Sequence, residues 1–351
     1  MRKATVNPAY LDFIRYSVGE ETVVPESIEC INWEDFLEFC NRQGITGLVF
    51  NGIQKADIRF NQSALLEWIG TVQMIIRQNT ITNKRLRESV VFFERKGLRS
   101  CILKGQANGL MYPKPELRSP GDVDIWVEGK REDIIKEVRN VCPNAHYSIH
   151  HIKLPIFKDV SVEVHYRPIY MSNWFMDRKL QNYIGSVEKR QFASKVALNN
   201  SEIGCLTDDF NAIYQLLHMY HHFFETRNNF KQFIDYYMLL KRGHFNNTDI
   251  AQRFRELGVL KYAKGVMWVM KEVLALEEKY LVVEPCEKEG RLILSESSCF
   301  GTFPTNNLLL VIDKFWANLR VMIHYPMEVM ISPLFLIWHQ WWRLKMSFAL
   351  K

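Results

Sequence analysis

Two aspartates separated by a single residue, in Gly121-Asp122-Val123-Asp124-Ile125-Trp126-Val127, are the residues whose type and spacing most directly suggest chemistry. In a strand, side chains alternate, so Asp122, Asp124 and Trp126 fall on one face and Val123, Ile125 and Val127 on the other, core-facing one. Two carboxylates so placed repel each other unless cations sit between them. A second run, Val160-Ser161-Val162-Glu163-Val164-His165-Tyr166-Arg167, alternates in the same way and puts Glu163 on a polar side with Ser161, His165 and Arg167. Side by side, the two strands offer three hard oxygen ligands, Asp122, Asp124 and Glu163, a set that suits Mg2+ or Mn2+ rather than zinc. An ordinary amphipathic strand shows the same alternation. The conjunction of both runs with a Lys-Gly turn upstream is what favours chemistry.

That turn lies in Cys101-Ile102-Leu103-Lys104-Gly105-Gln106, where a β-like run ends and a helical one begins. The glycine lets the backbone approach a ligand, while the lysine and the helix amides face an anion. Arg118 and Arg167 stand near the carboxylates in sequence and His150 and His151 flank a hairpin, and all four are further candidates for facing a phosphate. His218 and His222 are four apart on a helix, the spacing of a metal-binding pair, but no H-E-x-x-H pattern and no third ligand accompany them. Together with His165 they are candidates for facing a substrate.

The elements that must position these groups give an α+β chain with a small mixed β-sheet. Residues 1–97 read as an N-terminal helical segment: Asn32 caps a helix that Gly44 ends, and a long helix runs from about Ser63 to Lys96 with Leu66, Ile69, Val72, Ile76 and Ile81 on its buried side. Residues 98–203 read as an α/β core. It has strands at Leu98 to Leu103 and Val123 to Val127, short helices at Gln106 to Met111 and Arg131 to Arg139, and an antiparallel hairpin of Tyr147 to Phe157 with Val160 to Tyr166 about a Lys158-Asp159 turn. The stretch from Ile169 to Glu202 has no clear pattern. Residues 204–351 read as a helical lobe with a helix capped by Thr207 or Asp208 and further helices from about Asn229 to Lys241, from Thr248 to Leu257 and from Leu260 to Leu276.

The succession Leu103-Lys104-Gly105, Tyr112-Pro113, Arg118, Asp122-Val123-Asp124-Ile125 and Val162-Glu163-Val164-His165-Tyr166 resembles the bacterial uncharacterised nucleotidyltransferase family of the polymerase-β-like superfamily. His218, His222 and Asp235 resemble that family's helical region. The resemblance implies that Asp122 and Asp124 are paired metal ligands, Glu163 the third carboxylate, and Lys104-Gly105 the nucleotide-facing turn, with Arg118 beside it. It implies two Mg2+ or Mn2+ ions, a nucleoside triphosphate, and transfer of a nucleoside monophosphate, AMP from ATP, to a hydroxyl of a small molecule, protein or RNA. One departure is that the wider superfamily carries Gly-Ser where this chain has Lys104-Gly105, so Lys104 must serve as a point charge in place of the serine. The rival reading is a non-catalytic nucleotide- or partner-binding module that keeps the nucleotidyltransferase fold.

Composition agrees with a globular protein. The chain has 351 residues, 47% hydrophobic, with a formal net charge of +6 and no basic run that would announce a nucleic-acid groove. Seven cysteines without a C-x-x-C pair and an N-terminus without an apolar h-region point to a cytoplasmic protein with reduced core thiols. No G-x-S-x-G and no G-x-G-x-x-G after a strand is present, which removes the usual anchors of acyl transfer, kinase and dinucleotide readings. The aromatic stretch from Val329 to Trp342 is too short to span a bilayer and contains Pro333. It is expected to dock Phe335, Leu336, Trp338, Trp341 and Trp342 on the helical lobe, peripheral membrane contact being the alternative.

Overall fold

The computed structural model describes residues 6–20, 22–59, 61–198, 201–225, 227–298, 321 and 323–325. The aromatic tail from Val329 to Trp342 therefore lies outside the described residues. The chain is α+β, and its sheet is small: β1 (Ser100–Ile102), β2 (Val123–Val127), β3 (His151–Lys153) and β4 (Val162–His165), in the order β1-β2-β4-β3. β1 runs antiparallel to β2, β2 parallel to β4, and β3 antiparallel to β4. A separate hairpin, β5 (Lys195–Leu198) and β6 (Ser201–Gly204), reaches β1 through a bridge between Ile102 and Cys205. A Cβ on Gly204 would stand 2.2 Å from the Ser100 carbonyl oxygen, so this close backbone approach requires glycine.

Ahead of the sheet lie α1 (Pro8–Val18), α2 (Trp33–Gln43), α3 (Thr46–Lys55) and the 33-residue α4 (Gln62–Glu94). Asn32 caps α2 by accepting from the amides of Glu34 and Asp35, and Gly44 ends it at φ 69°, as the sequence predicts. Helix α4, about 50 Å long at 1.5 Å per residue, ties two hydrophobic cores together. Trp68 and Val72 enter the larger one, while Leu86, Val90 and Phe93 enter a smaller one under the sheet. Its buried side differs from the expected one: Leu66 and Ile69 are exposed, Ile76 and Ile81 half-buried, and the true stripe includes Asn79, Thr82 and Ser89. Polar residues on the packed face disguised the helical period.

Within and after the sheet come α5 (Gln106–Gly109), α6 (Arg131–Val141), α7 (Trp174–Ala193), α8 (Asp208–Glu225), α9 (Phe230–Arg242), α10 (Asn247–Glu256), α11 (Leu260–Trp268) and α12 (Glu287–Ser298). Helix α7 fills the stretch that has no clear pattern in sequence. Asn173 caps it, but it buries only Leu180, Ile184, Gln191 and Phe192 and exposes Trp174 and Phe175, so no apolar stripe announces it. The expected helix to Leu276 is α-helical only to Trp268 and continues as a π turn, Val269–Val273. The expected hairpin pairs as β3 with β4, with shorter strands than the sequence suggests.

Both faces of the sheet are covered. Val123, Ile125, Val127, Val162 and Val164 pack with Ile134, Ile135 and Val138 of α6 and with the end of α4. On the opposite face, Trp126 meets Phe192 of α7 at a ring-centroid distance of 4.7 Å and Phe210 of α8 at 6.2 Å. The polar face of β2 is thus an interior surface. The larger core runs from α1–α3 through α8–α11, so N-terminal and C-terminal helices pack against each other beside the sheet.

The loop leading into β2 is anchored from three helices. Asn79 of α4, itself buried, donates from Nδ2 to the carbonyls of Glu116 and Arg118, each at 2.8 Å. A Cβ on Gly47 of α3 would stand 2.1 Å from the Leu117 carbonyl oxygen, and Arg118 reaches Asp235 of α9. Asn79→Leu removes both donated bonds and leaves two inward carbonyls unsatisfied. It is expected to lower unfolding free energy by about 2 kcal/mol, read by denaturant or thermal melts.

Candidate active site

In the β2–β4 register, Asp124 stands opposite Glu163 and Trp126 opposite His165; in β3–β4, His151 stands opposite His165. Residues paired across a ladder project to the same side. Asp124, Glu163, His165 and His151 therefore share the sheet face that α8 covers. Ligand atoms of Asp124, Glu163 and His165 lie within 4.8 Å of one another.

Asp124 is 2% exposed, and its two oxygens have different neighbours. Oδ1 accepts from His165 Nε2 at 3.1 Å, and buried Oδ2 faces Lys104 Nζ at 3.3 Å without hydrogen-bond geometry. Burial opposes the charge of Asp124, but Lys104 and then His165 outweigh it and hold the carboxyl down to about 2. Glu163 moves the other way: burial, then the charge of Asp124, raises it above the usual glutamate range. Its oxygens lie 3.7 Å from His151 Nε2 and 4.0 Å from His165 Nε2. An ionised carboxylate with an oxygen lacking a hydrogen bond, a second carboxylate and an imidazole make a donor set that fits a divalent cation.

Lys104 ends β1's extension, and Gly105 follows at φ 69° and ψ −110°, a combination open to glycine. The lysine also contacts His218 Nε2 at 2.8 Å, and His222 Nε2 lies 3.3 Å from His218 Nε2. Burial and the neighbouring Lys104 push His218 well below its ordinary value and His222 down to about 4, so both rings are neutral at physiological pH, and His218 Nε2 accepts from Lys104. Lys104, Asp124, Glu163, His165, His218 and His222 are thus brought together from β1, β2, β4 and α8.

Asp122 and Arg118 are placed otherwise. Asp122 is exposed, one residue before β2, and is not in the group of mutually close ligand atoms. Arg118 is buried and bidentate to Asp235, with Nε and Nη2 each 2.7 Å from a carboxylate oxygen. Tyr112 donates its hydroxyl to the same Asp235 at 2.7 Å. The guanidinium is therefore a clamp between the pre-β2 loop and α9. Arg167 is similarly engaged, with Asp177 in the first turn of α7.

One cationic group escaped the sequence reading. Lys231, in the first turn of α9, carries its Nζ to 3.5 Å from where a Cβ on Gly121 would stand, beside the entrance to β2. It has no hydrogen bond or ion pair among the described residues. Burial, then the charge of Arg118, lowers it to about 8. The available signal was its spacing, one helical turn before Asp235 on the same face.

Among solved structures, an antigenic nucleotidyltransferase-like protein from Paracoccidioides brasiliensis aligns with 61% of this chain and 96% of its own at 12% identity, with a TM-score of 0.37. A search of curated proteins found no match. The pattern of the family described as "Uncharacterised nucleotidyltransferase" matches residues 29–275, which include every strand among the described residues and the whole cluster around Asp124. The chain belongs to the uncharacterised nucleotidyltransferase family.

Proposed function

We propose that this chain transfers a nucleoside monophosphate, AMP from ATP, to a hydroxyl on a small-molecule, protein or RNA acceptor. The observation that supports this most is the register of Asp124 against Glu163 on parallel strands, with His165 completing a cation-binding group. Asp124 and Glu163, with Asp122 at the entrance, would hold two Mg2+ or Mn2+ ions. When bound, such ions neutralise charge on the phosphates and on the departing pyrophosphate. Lys104 and Lys231 neutralise the phosphate oxygens, a task for which Lys104 stands where the wider superfamily has serine. The acceptor oxygen bonds to the α-phosphorus, the bond to the bridging oxygen breaks, and pyrophosphate leaves. Glu163, raised by burial and by Asp124, is the carboxylate best suited to take the hydroxyl proton. Gly105 lets the backbone turn closely under the nucleotide, and Arg118 acts through Asp235 by fixing the loop before Asp122.

One observation favours the rival reading of a nucleotide-binding module without turnover: Lys104 already neutralises the buried Asp124. Release of pyrophosphate from ATP with Mg2+ or Mn2+, and labelling of lysate components from α-labelled ATP, separate the two. The transfer reading fails if Asp124→Asn and Glu163→Gln label as fast as the parent; a parent that binds ATP and metal yet never releases pyrophosphate selects the binding module.

Lys231 gives a pH test of the phosphate grip. Its proton is held below about pH 8 and lost above it, so metal-free ATP binding is expected to weaken as pH rises through that value. Lys231→Met should bind roughly tenfold more weakly at neutral pH, the worth of one charge-assisted contact, and show a flat profile from pH 7 to about 9. The linkage has the opposite sign for the fold. A lysine lowered on folding disfavours the native state wherever it is charged, so the same substitution should raise the melting temperature below about pH 8. Calorimetric titration and thermal melts across this range read both effects.

A further inference from the structure

A second group of donors lies against the carboxylates and differs from them in chemistry. His150, His151 and His165 each offer a ring nitrogen, and these nitrogens lie within 4.8 Å of one another. The ring centroids are 4.4 Å apart for His150 and His151, and 5.4 Å for each of these with His165. The sheet fixes this meeting, because His151 and His165 are partners in the β3–β4 register and His150 immediately precedes β3. Ser148 Oγ orients the first two, at 3.3 Å from His150 Nδ1 and 3.1 Å from His151 Nδ1, and His151 Nδ1 and His150 Nε2 share a hydrogen bond at 2.9 Å that a bound ion would have to replace.

The hydrogen bonding of His165 points to a ligand. A carboxylate only accepts, so the proton between His165 and Asp124 belongs to Nε2, and in the neutral ring Nδ1 carries a bare lone pair. That Nδ1 is buried and has no hydrogen-bond partner, on a side chain 5% exposed. Leaving such an acceptor unsatisfied costs free energy that a bound cation recovers. Asp124 behind His165 has the place of the outer carboxylate that fixes tautomer and raises basicity in metal–histidine sites.

We propose that His150, His151 and His165 form a transition-metal site of three imidazoles, backed by Asp124, which takes a borderline divalent ion such as Zn2+, Co2+ or Ni2+ in preference to Mg2+. Imidazole donors suit these ions, whereas carboxylate and water suit Mg2+. Three protein ligands leave a coordination position open to water or substrate. His150 and His151 are both partly exposed, which gives an ion a route in. The site shares His165, and Asp124 behind it, with the carboxylate group of the proposed transfer, but uptake is measured without nucleotide, so failure of uptake and failure of transfer are read separately.

The test is Co2+ titration of the full chain, followed by visible absorption and calorimetry in excess Mg2+, then displacement by Zn2+. The parent is expected to bind Co2+ despite Mg2+ and to release it to Zn2+. His150→Ala and His151→Ala should each weaken uptake at least tenfold, Glu163→Gln should weaken it less than either, and the distant His244→Ala should leave it unchanged. X-ray absorption of the Zn2+-loaded parent, which needs no variant to fold, should count three imidazole nitrogens. Uptake unchanged in both histidine variants, uptake lost in Glu163→Gln but kept in His150→Ala, or no uptake by a parent that melts cooperatively overturns the proposal.

Discussion

Asp124→Asn is expected to reduce pyrophosphate release by on the order of 10^3-fold or more, and Glu163→Gln by a similar factor, with the double variant scarcely worse than either. The reason is that the two carboxylates act as one unit: they stand opposite each other in the β2–β4 register and share a single cation-binding group with His165. Their stability effects should diverge. Asp124 is held ionised by Lys104 and His165, so its amide is expected to cost the fold about 1–2 kcal/mol, contrary to the simple expectation that relieving carboxylate repulsion makes such changes harmless. Glu163 is raised instead, which means that its charge disfavours the native state as pH rises through its folded value. Glu163→Gln removes that penalty and should leave the melting temperature unchanged or higher at neutral pH. Parallel rate assays and melts on the two variants check both halves. Equal loss of activity with opposite stability shifts is the expected pattern.

Arg118→Met is expected to destabilise the fold by about 3–5 kcal/mol, the usual result of removing one partner from a buried pair. The guanidinium leaves behind Asp235, only 7% exposed, with the Tyr112 hydroxyl and the more distant Lys231 to offset its charge among the described residues. Asp235→Leu should cost a similar amount by orphaning Arg118, whereas the double change Arg118→Met with Asp235→Leu should recover much of the loss because no uncompensated charge remains. Arg118→Lys keeps the charge but not the fork that makes two 2.7 Å bonds, so it should fall between parent and Met. A double-mutant cycle in urea gives the coupling energy. If the single variants melt like the parent, Arg118 is free of this clamp and returns as a candidate for direct phosphate contact.

The sequence by itself determined the local parts of this protein. Period-2 alternation identifies β2 and β4, because a strand with a buried side writes its geometry into every second residue. Asn32 and Gly44 mark the ends of α2 for an equally local reason, since a side-chain oxygen and a left-handed φ meet the unsatisfied groups at helix ends. Where local chemistry and packing disagree, the sequence misleads. Helix α4 buries Asn79, Thr82 and Ser89 because a loop and a second core meet it there, and α7 shows too little apolar surface to reveal a stripe.

Only the tertiary structure decided which polar residues meet. Alternation puts Asp124 and Glu163 on polar faces, but a face is defined without reference to what covers it. The helices packed over this one turn an apparently solvated surface into a buried site, where burial raises Glu163 and lowers His150, His151, His218 and His222, while Lys104 and His165 hold Asp124 down against it. Arg118 stands four residues before Asp122 in sequence, yet its partner is Asp235, more than a hundred residues away on α9. Lys231 comes to the entrance of β2, and His218 to Lys104, through helix packing that no spacing within their own segments encodes. Contacts between groups distant in the chain depend on the closure of the whole core, and so the ligand set and its electrostatics belong to the fold rather than to the motif.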